Sequence, residues 1–213
     1  MVVYAWMAEE SVAKLFLAGF IPGILFGIVQ IIVAYVTAKR NNYPREAVPN
    51  LDRFVKAFKE SLLSLLFPLL VLGGIVFGLV TPTEAGVLAV AYALFLGLFV
   101  YKDMKISELP GILVETIKAT AVVMFVLGSA SGISWILAFE QIPDMLVNWF
   151  QSLGAGKIIF LLFLNIICLF LGTFIGGTSA ALILITPILL PVAKTLGVDP
   201  VHLGIIMIAN LAI

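Results

Sequence analysis

The sequence predicts an all-α integral membrane protein that crosses the bilayer several times. Three observations carry that prediction. Hydrophobic residues make up 62% of the 213 positions and charged residues 11%, with a mean hydropathy of +1.21. A soluble domain holds about 45–50% apolar and about 25% charged residues. The apolar residues also fall into runs of about 20, the length that crosses a hydrocarbon core as a helix. The basic residues gather in a few of the links between those runs, as they do on the cytoplasmic side of membrane proteins. The formal net charge is zero, so nothing points to nucleic acid. The single cysteine, Cys168, lies in an apolar run and cannot form an internal disulfide, so a packing role is expected.

Residues 1–14 carry Tyr4, Trp6, Glu9, Glu10 and Lys14, which suits a helix end at the membrane interface. The first charged residues are acidic, so this start does not read as a cleavable signal peptide. Residues 15–36 form the first span, with Pro22, Gly23 and Gly27 inside it. Glycine and proline are commoner in membrane helices than in soluble ones. The link that follows holds Lys39, Arg40, Arg45, Arg53, Lys56 and Lys59, six of the 12 basic residues, and is expected in the cytoplasm.

Within that link Leu51, Phe54, Val55, Phe58, Leu62 and Leu65 recur at helical spacing, and Asp52, Arg53, Lys56, Lys59 and Glu60 fill the other face. Asn50 is a suitable cap. Residues 49–60 read as an amphipathic helix lying on the inner membrane surface; packing on protein is the plain alternative.

Residues 61–80 are the second span, with Pro68, Gly73, Gly74 and Gly78. Thr81 or Thr83 then caps a new helix, with Glu84 in its first turn. The third span covers residues 85–101, and Lys102 and Lys105 return the chain to the cytoplasm. A fourth runs over about 112–139 and is interrupted at Gly128, Ser129, Ala130, Ser131 and Gly132, small residues that allow close helix packing or loosen the helix. Residues 140–156 hold two acids and no base before Lys157, as expected outside, and Ile142, Met145, Leu146 and Trp149 suggest an interfacial helix. Asp199 and Pro200 start a last apolar helix from residue 201, and the chain ends within that run, as a fragment would.

The most informative stretch is residues 157–197. Thirty-six residues in succession, 158–193, carry no charge. That is too long for one straight span, which needs about 20 residues, and short for two spans with a loop. Gly172, Gly176, Gly177, Thr178 and Ser179 form a polar, helix-breaking tip in its middle. We read a re-entrant hairpin, one apolar helix in and a second out, entering and leaving on the outer side. Irregular backbone at membrane depth is tolerated where it is buried or lines a cavity, and broken helices of this kind form ion and substrate sites in transporters.

No nucleotide loop, metal-ligand cluster or catalytic triad is visible in the sequence. An intramembrane enzyme should show a nucleophile beside a base, or paired acids at depth; the deep polar residues here are hydroxyls, amides and glycines. No enzyme activity is expected. His202 reads as a polar interface residue rather than a ligand, Glu84 as a helix cap rather than a proton relay, and Asn165 as one half of an interhelical hydrogen bond.

Three runs, GGIVFGLVTPTEAG (73–86), ALILITPILLPVAKTLGVDP (181–200) and VHLGIIMIANLAI (201–213), together resemble the large membrane subunit of the tripartite ATP-independent periplasmic (TRAP) transporters. The opening MVVYAWMAEESVAKLFLAGFIPG (1–23) resembles a middle stretch of that subunit, so the resemblance covers essentially the whole chain. It implies that the chain is the central and second-half region of a longer permease. The first inverted repeat, with its own hairpin, and a Pro-rich unwound turn beyond Ile213 would then lie elsewhere. Many members carry an Asp where this chain has Gly177, and a Pro near Ala180.

What the resemblance implies is one part of an inverted-repeat, elevator-type fold in the bacterial inner membrane. Its activity would be sodium-coupled import of an organic acid, such as a C4-dicarboxylate or sialic acid, delivered by a periplasmic binding protein. A small membrane subunit would be the second partner, and sodium the coupling ion, with no other metal or cofactor. The expected division is residues 1–48, first span and cytoplasmic loop; 49–60, interfacial helix; 61–156, scaffold-type spans and outer segment; and 157–213, hairpin and start of a discontinuous helix of the transport domain. Helix-end chemistry then assigns Gly176, Gly177, Thr178 and Ser179 to sodium, through carbonyls and hydroxyls, and Thr178, Ser179 and Ala180 to the substrate carboxylate, through N–H groups. The alternatives are a sodium/anion carrier that needs no binding protein, a structural membrane subunit, and a hairpin that only packs.

Overall fold

The computed structural model describes residues 1–43, 50–152, 154, 156–174 and 178–212, apart from the side chain of Thr178. Among the described residues nine α-helices follow one another. They are α1 (Val2–Ala8), α2 (Val12–Arg40), α3 (Leu51–Val76), α4 (Pro82–Phe95), α5 (Leu109–Phe139), α6 (Ile142–Ser152), α7 (Lys157–Phe174), α8 (Thr178–Thr195) and α9 (Pro200–Leu211). The all-α, polytopic membrane character is therefore confirmed, with five helices long and apolar enough to cross a membrane: α2, α3, α4 with its continuation to Val100, α5 with the short turn before it, and α7. The helices pack into two compact units, one of residues 19–106 and one of residues 1–18 and 107–213.

In the unit of residues 19–106, α2 keeps its helix through Pro22 and buries almost nothing. Ile21, Ile31 and Ile32 are exposed along it, which suits hydrocarbon rather than water around them. Residues 51–60 are no separate helix: α3 runs unbroken from Leu51 to Val76, so the amphipathic segment and the span that follows are one element. Asn50 caps it as expected, its side chain accepting the Asp52 N–H at 3.2 Å. The chain turns at Gly78, whose φ of 70° is the left-handed conformation glycine tolerates. The N–H groups of Leu79 and Val80 both return to the Gly74 carbonyl, at 2.9 and 3.2 Å.

Of the two candidate caps for α4, Thr81 is the one used. Its Oγ1 accepts the Glu84 N–H at 3.3 Å, and Glu84 Oε2 accepts the Thr81 N–H at 2.7 Å. This reciprocal pair satisfies two otherwise free donors and gives Glu84 the capping role. Tyrosines tie α4 and its continuation back to α3. Tyr92 donates to the Leu63 carbonyl at 2.8 Å, and Tyr101 donates to the Glu60 carbonyl at 3.2 Å and shares a 3.0 Å hydrogen bond with Ser64. A hydroxyl in apolar surroundings needs such a partner.

In the other unit α8 is the hub, packing against α1, α5, α6, α7 and α9. Its Ala181, Leu182, Val192 and Ala193 join Phe160, Leu164 and Cys168 of α7, Leu203 and Met207 of α9, and Tyr4 of α1 in one apolar core. Residues 128–132 do not interrupt α5, which stays helical throughout; Ser131 and Ser134 satisfy their hydroxyls on the Leu127 and Ala130 carbonyls, at 2.9 and 2.8 Å. The helix expected near residues 142–149 is present as α6, with Ile142 and Leu146 half-buried. Val147 and Phe150 are buried, while Met145 and Trp149 are exposed. Phe150 sets the face, meeting the Phe160 and Phe163 rings edge-on at 5.5 and 5.3 Å.

The first helix differs most from its expectation as an interfacial end. Tyr4 is fully buried and donates to the Pro200 carbonyl at 2.6 Å, tying α1 to the start of α9. Burial, with the acidic Glu10 and Asp199 nearby, pushes the phenol pKa far up, so Tyr4 stays a neutral donor.

Candidate functional site

The candidate site lies where α7 ends and α8 begins. α7 is apolar from Ile158 to Phe174 except for Asn165 and Thr173. Its 18 residues rise about 27 Å, just short of a hydrocarbon core of about 30 Å. By helix geometry the last carbonyls of α7, on Gly172, Thr173 and Phe174, have no donor within the helix, and the first N–H groups of α8, on Thr178, Ser179 and Ala180, have no acceptor within it. Three residues separate those two ends. The partial negative end of one helix dipole is thus followed, three residues on, by the partial positive end of another, and charged residues are absent from the sequence between Ile158 and Ala193. Such a pair of ends can coordinate a cation with carbonyl oxygens and an anion with N–H groups.

Gly176 and Gly177 lie outside the described residues, as does the Thr178 side chain; the Thr178 backbone opens α8. Ser179 is exposed on the first turn, Ala180 is half-buried, and Ala181 begins the core. The three described site residues therefore stand together at one helix start, open on one side and packed on the other.

The packing behind the tip is more specific than the sequence indicates. Asn165 is half-buried on α7, and its hydrogen-bond partner is Asn210 on α9, whose Nδ2 donates to Asn165 Oδ1 at 2.6 Å. Asn210 escaped the sequence reading; the signal for it was a lone amide in the apolar run GIIMIANLAI, the same signal that marked Asn165. At the foot of the hairpin Lys157 Nζ donates to the Gly197 carbonyl at 3.2 Å, joining the start of α7 to the turn after α8. At the start of α9 Asp199 caps as expected, accepting the His202 N–H at 3.0 Å, and the His202 side chain is exposed.

α8 carries two internal prolines, Pro187 and Pro191. Proline has no N–H, so the carbonyls of Ile183 and Pro187 lose their helical donors. Beside them Thr186 is fully buried, and its Oγ1 has no hydrogen-bond partner among the described residues. Among the described residues no three His, Cys, Asp or Glu side chains come together as a metal site would require. A cavity of about 290 Å³ lies between α3 and α4 in the other unit. Its lining, from Phe67, Leu70 and Val71 round to Leu88 and Ala89, is apolar apart from Tyr92, so it does not suit a carboxylate.

The family model described as "Tripartite ATP-independent periplasmic transporter, DctM component" matches residues 1–213. The chain is 41% identical over 213 residues to the C4-dicarboxylate TRAP transporter large permease protein DctM of Pseudomonas aeruginosa, covering all of this chain and 50% of that protein. It is 40% identical over 213 residues to the sialic acid TRAP transporter large permease protein SiaM of Vibrio cholerae, again covering all of this chain and 50% of the relative. It is 38% identical over 213 residues to the isethionate TRAP transporter permease protein DctMQ of Oleidesulfovibrio alaskensis, covering all of this chain and 33% of that protein. The chain spans half the length or less of these three relatives.

Proposed function

The chain belongs to the DctM-component family of the tripartite ATP-independent periplasmic transporters, a multi-pass protein of the inner membrane, and we propose that it forms part of the large permease of a sodium-coupled importer of a small organic acid. The observation that carries this reading is that α7 ends and α8 begins within three residues of each other, in a run of 36 residues without charge. A tip of that kind holds a cation and an anion side by side without burying a permanent protein charge, which is costly at membrane depth. The substrates named for the three relatives, a C4-dicarboxylate, a sialic acid and isethionate, are all small organic anions, and helix N–H groups recognise an oxyanion whatever carbon skeleton bears it.

In this reading sodium is a co-substrate. It is held by carbonyl and hydroxyl oxygens of Gly176, Gly177, Thr178 and Ser179, and the acid meets the N–H groups of Thr178, Ser179 and Ala180. Sodium neutralises part of the acid's charge at the tip, so each favours binding of the other. A periplasmic binding protein delivers the acid, a small membrane subunit supports the permease, and the hairpin travels with α9 in the moving part. The tip is reached from the periplasm, so an impermeant thiol reagent added to the cytoplasmic face should leave a cysteine at Ser179 unmodified in the resting state.

Uptake by the full-length permease in proteoliposomes, with its small subunit and binding protein, tests the reading. Gly177→Val should strongly reduce sodium-dependent uptake while the protein still folds, because a branched side chain blocks close approach of ion to backbone. Thr178→Ala should raise the sodium concentration needed for half-maximal uptake. Unchanged sodium dependence in both variants moves the ion away from this tip. Full uptake without the binding protein favours the simpler carrier.

A further inference from the structure

The inward leg of the hairpin leans on α9 more than on its own outward leg, for α7 packs more extensively against α9 than against α8. Two features make that contact. The first is a relay of amide hydrogen bonds. Asn165 Nδ2 donates to the Leu161 carbonyl on α7 at 2.7 Å, while Asn210 Nδ2 donates to Asn165 Oδ1 at 2.6 Å and to the Ile206 carbonyl on α9 at 3.0 Å. Each amide is thus tied to its own helix and to the other amide. Both are half-buried, and in hydrocarbon an amide without a partner is costly. The relay therefore closes in one register of α7 against α9 and opens if either helix slides.

The second feature is Gly172, seven residues further along α7, or about two turns. A Cβ there would stand 3.2 Å from the Asn210 carbonyl oxygen and 3.2 Å from Leu211 Cα. Backbone meets backbone at this point, as small residues permit between membrane helices. Asn210 takes part in both contacts: its side chain reaches Asn165 and its carbonyl lies against Gly172. Gly172 is also the first of the three residues whose carbonyls end α7.

We propose that Asn165, Asn210 and Gly172 form a clasp that fixes where the carbonyl end of α7 stands, and so sets the affinity of the tip for sodium. Asn165 and Asn210 act as positioning residues and do not touch the ion. The inference rests on the reading of the tip given above. It adds that α9, rather than the returning leg α8, holds the cation-facing helix end in place. Opening the clasp should weaken ion binding and leave the maximal rate nearly unchanged, because the moving parts stay intact.

The test uses the full-length permease with its partners, carrying Asn165→Leu, Asn210→Leu, or both. Leucine removes the amide at similar size; each single variant leaves the partner amide without this bond, and the double variant removes both groups. Interhelical hydrogen bonds in membranes are modest, so each single change should raise the half-saturating sodium concentration by about threefold or more. The maximal rate should stay within about twofold, and the double variant should go no further than the worse single, since two residues in one interaction do not add. A second measurement does not depend on sodium. With Cys168→Ala as background, spin labels at Phe174 and His202 report the distance from the end of α7 to the start of α9. Its distribution should broaden in the leucine variants with neither ion nor substrate present.

Additive single changes, or an unaltered distance distribution, overturn the clasp. If a leucine variant fails to accumulate, Gly172→Ala, which asks for a shift of a few tenths of an ångström, should move both readouts in the same direction; no movement in either overturns the clasp. If uptake by the unaltered permease proves independent of sodium, the reading of the tip fails, and the distance distribution alone then decides the clasp.

Discussion

Replacing Gly204 with alanine should destabilise the unit built on α8, although alanine is the better helix former. Gly204 lies in α9 against the ring of Tyr4. A Cβ built there falls 2.7 Å from Tyr4 Cδ1 and 2.8 Å from Cζ, and closer still to Cε1. The ring cannot turn aside at little cost, being fully buried and held by its hydroxyl to the Pro200 carbonyl at 2.6 Å. Glycine to alanine in a helix returns up to about 1 kcal/mol. Against it stand about 1–3 kcal/mol for overpacking if the ring stays. If the ring leaves, the hydrogen bond costs about 1 kcal/mol and the lost burial about 1.5–3 kcal/mol. The cheaper route sets the net loss, about 1 kcal/mol and at most about 2 kcal/mol.

Unfolding of a membrane protein is commonly irreversible, so half-life in detergent at a fixed elevated temperature is the suitable assay. Gly204→Ala should shorten that half-life severalfold. In a Tyr4→Ala background the clash is gone, and Gly204→Ala should then be neutral or slightly stabilising. A Gly204→Ala half-life equal to that of the unaltered protein, or the same penalty with and without Tyr4, would refute the argument that this ring occupies the place of the missing side chain.

Two further substitutions probe local features in the same assay. Thr81→Ala removes the capping box at the start of α4 and should cost about 1 kcal/mol; no change in half-life would mean that other donors close that helix end equally well. Thr186→Val deletes a fully buried hydroxyl with no partner among the described residues, so it should lengthen the half-life, by about 1 kcal/mol of stabilisation. A clear loss of stability or of uptake would show instead that the hydroxyl has a working partner.

Much of this fold was legible in one dimension. Span positions follow from apolar runs, because a bilayer demands length and hydrophobicity from each helix independently of its neighbours. Asn50, Thr81 and Asp199 were legible because a cap acts within three residues of itself, and all three cap in the structure. The tip was legible as chemistry, a set of glycines and hydroxyls in a charge-free run, because residue types are read directly from the sequence. Its ion and substrate roles still await the uptake measurements.

Tertiary structure alone decided which surfaces meet. Met145 and Trp149 marked an interfacial helix in the sequence, but nothing there showed that Val147 and Phe150 would be its buried residues. Tyr4 looked like an interfacial aromatic and is a buried strut. Asn165 announced a partner without naming Asn210, 45 residues away. The physical reason is common to all three. In water an amphipathic pattern separates the packed face from the exposed one. In a bilayer lipid tails are as apolar as leucine, so both faces of a helix are written in the same residues. What distinguishes the packed face is shape and hydrogen-bond geometry, such as a glycine beneath a ring or one amide opposite another, and those complementarities exist only once the helices have been brought together.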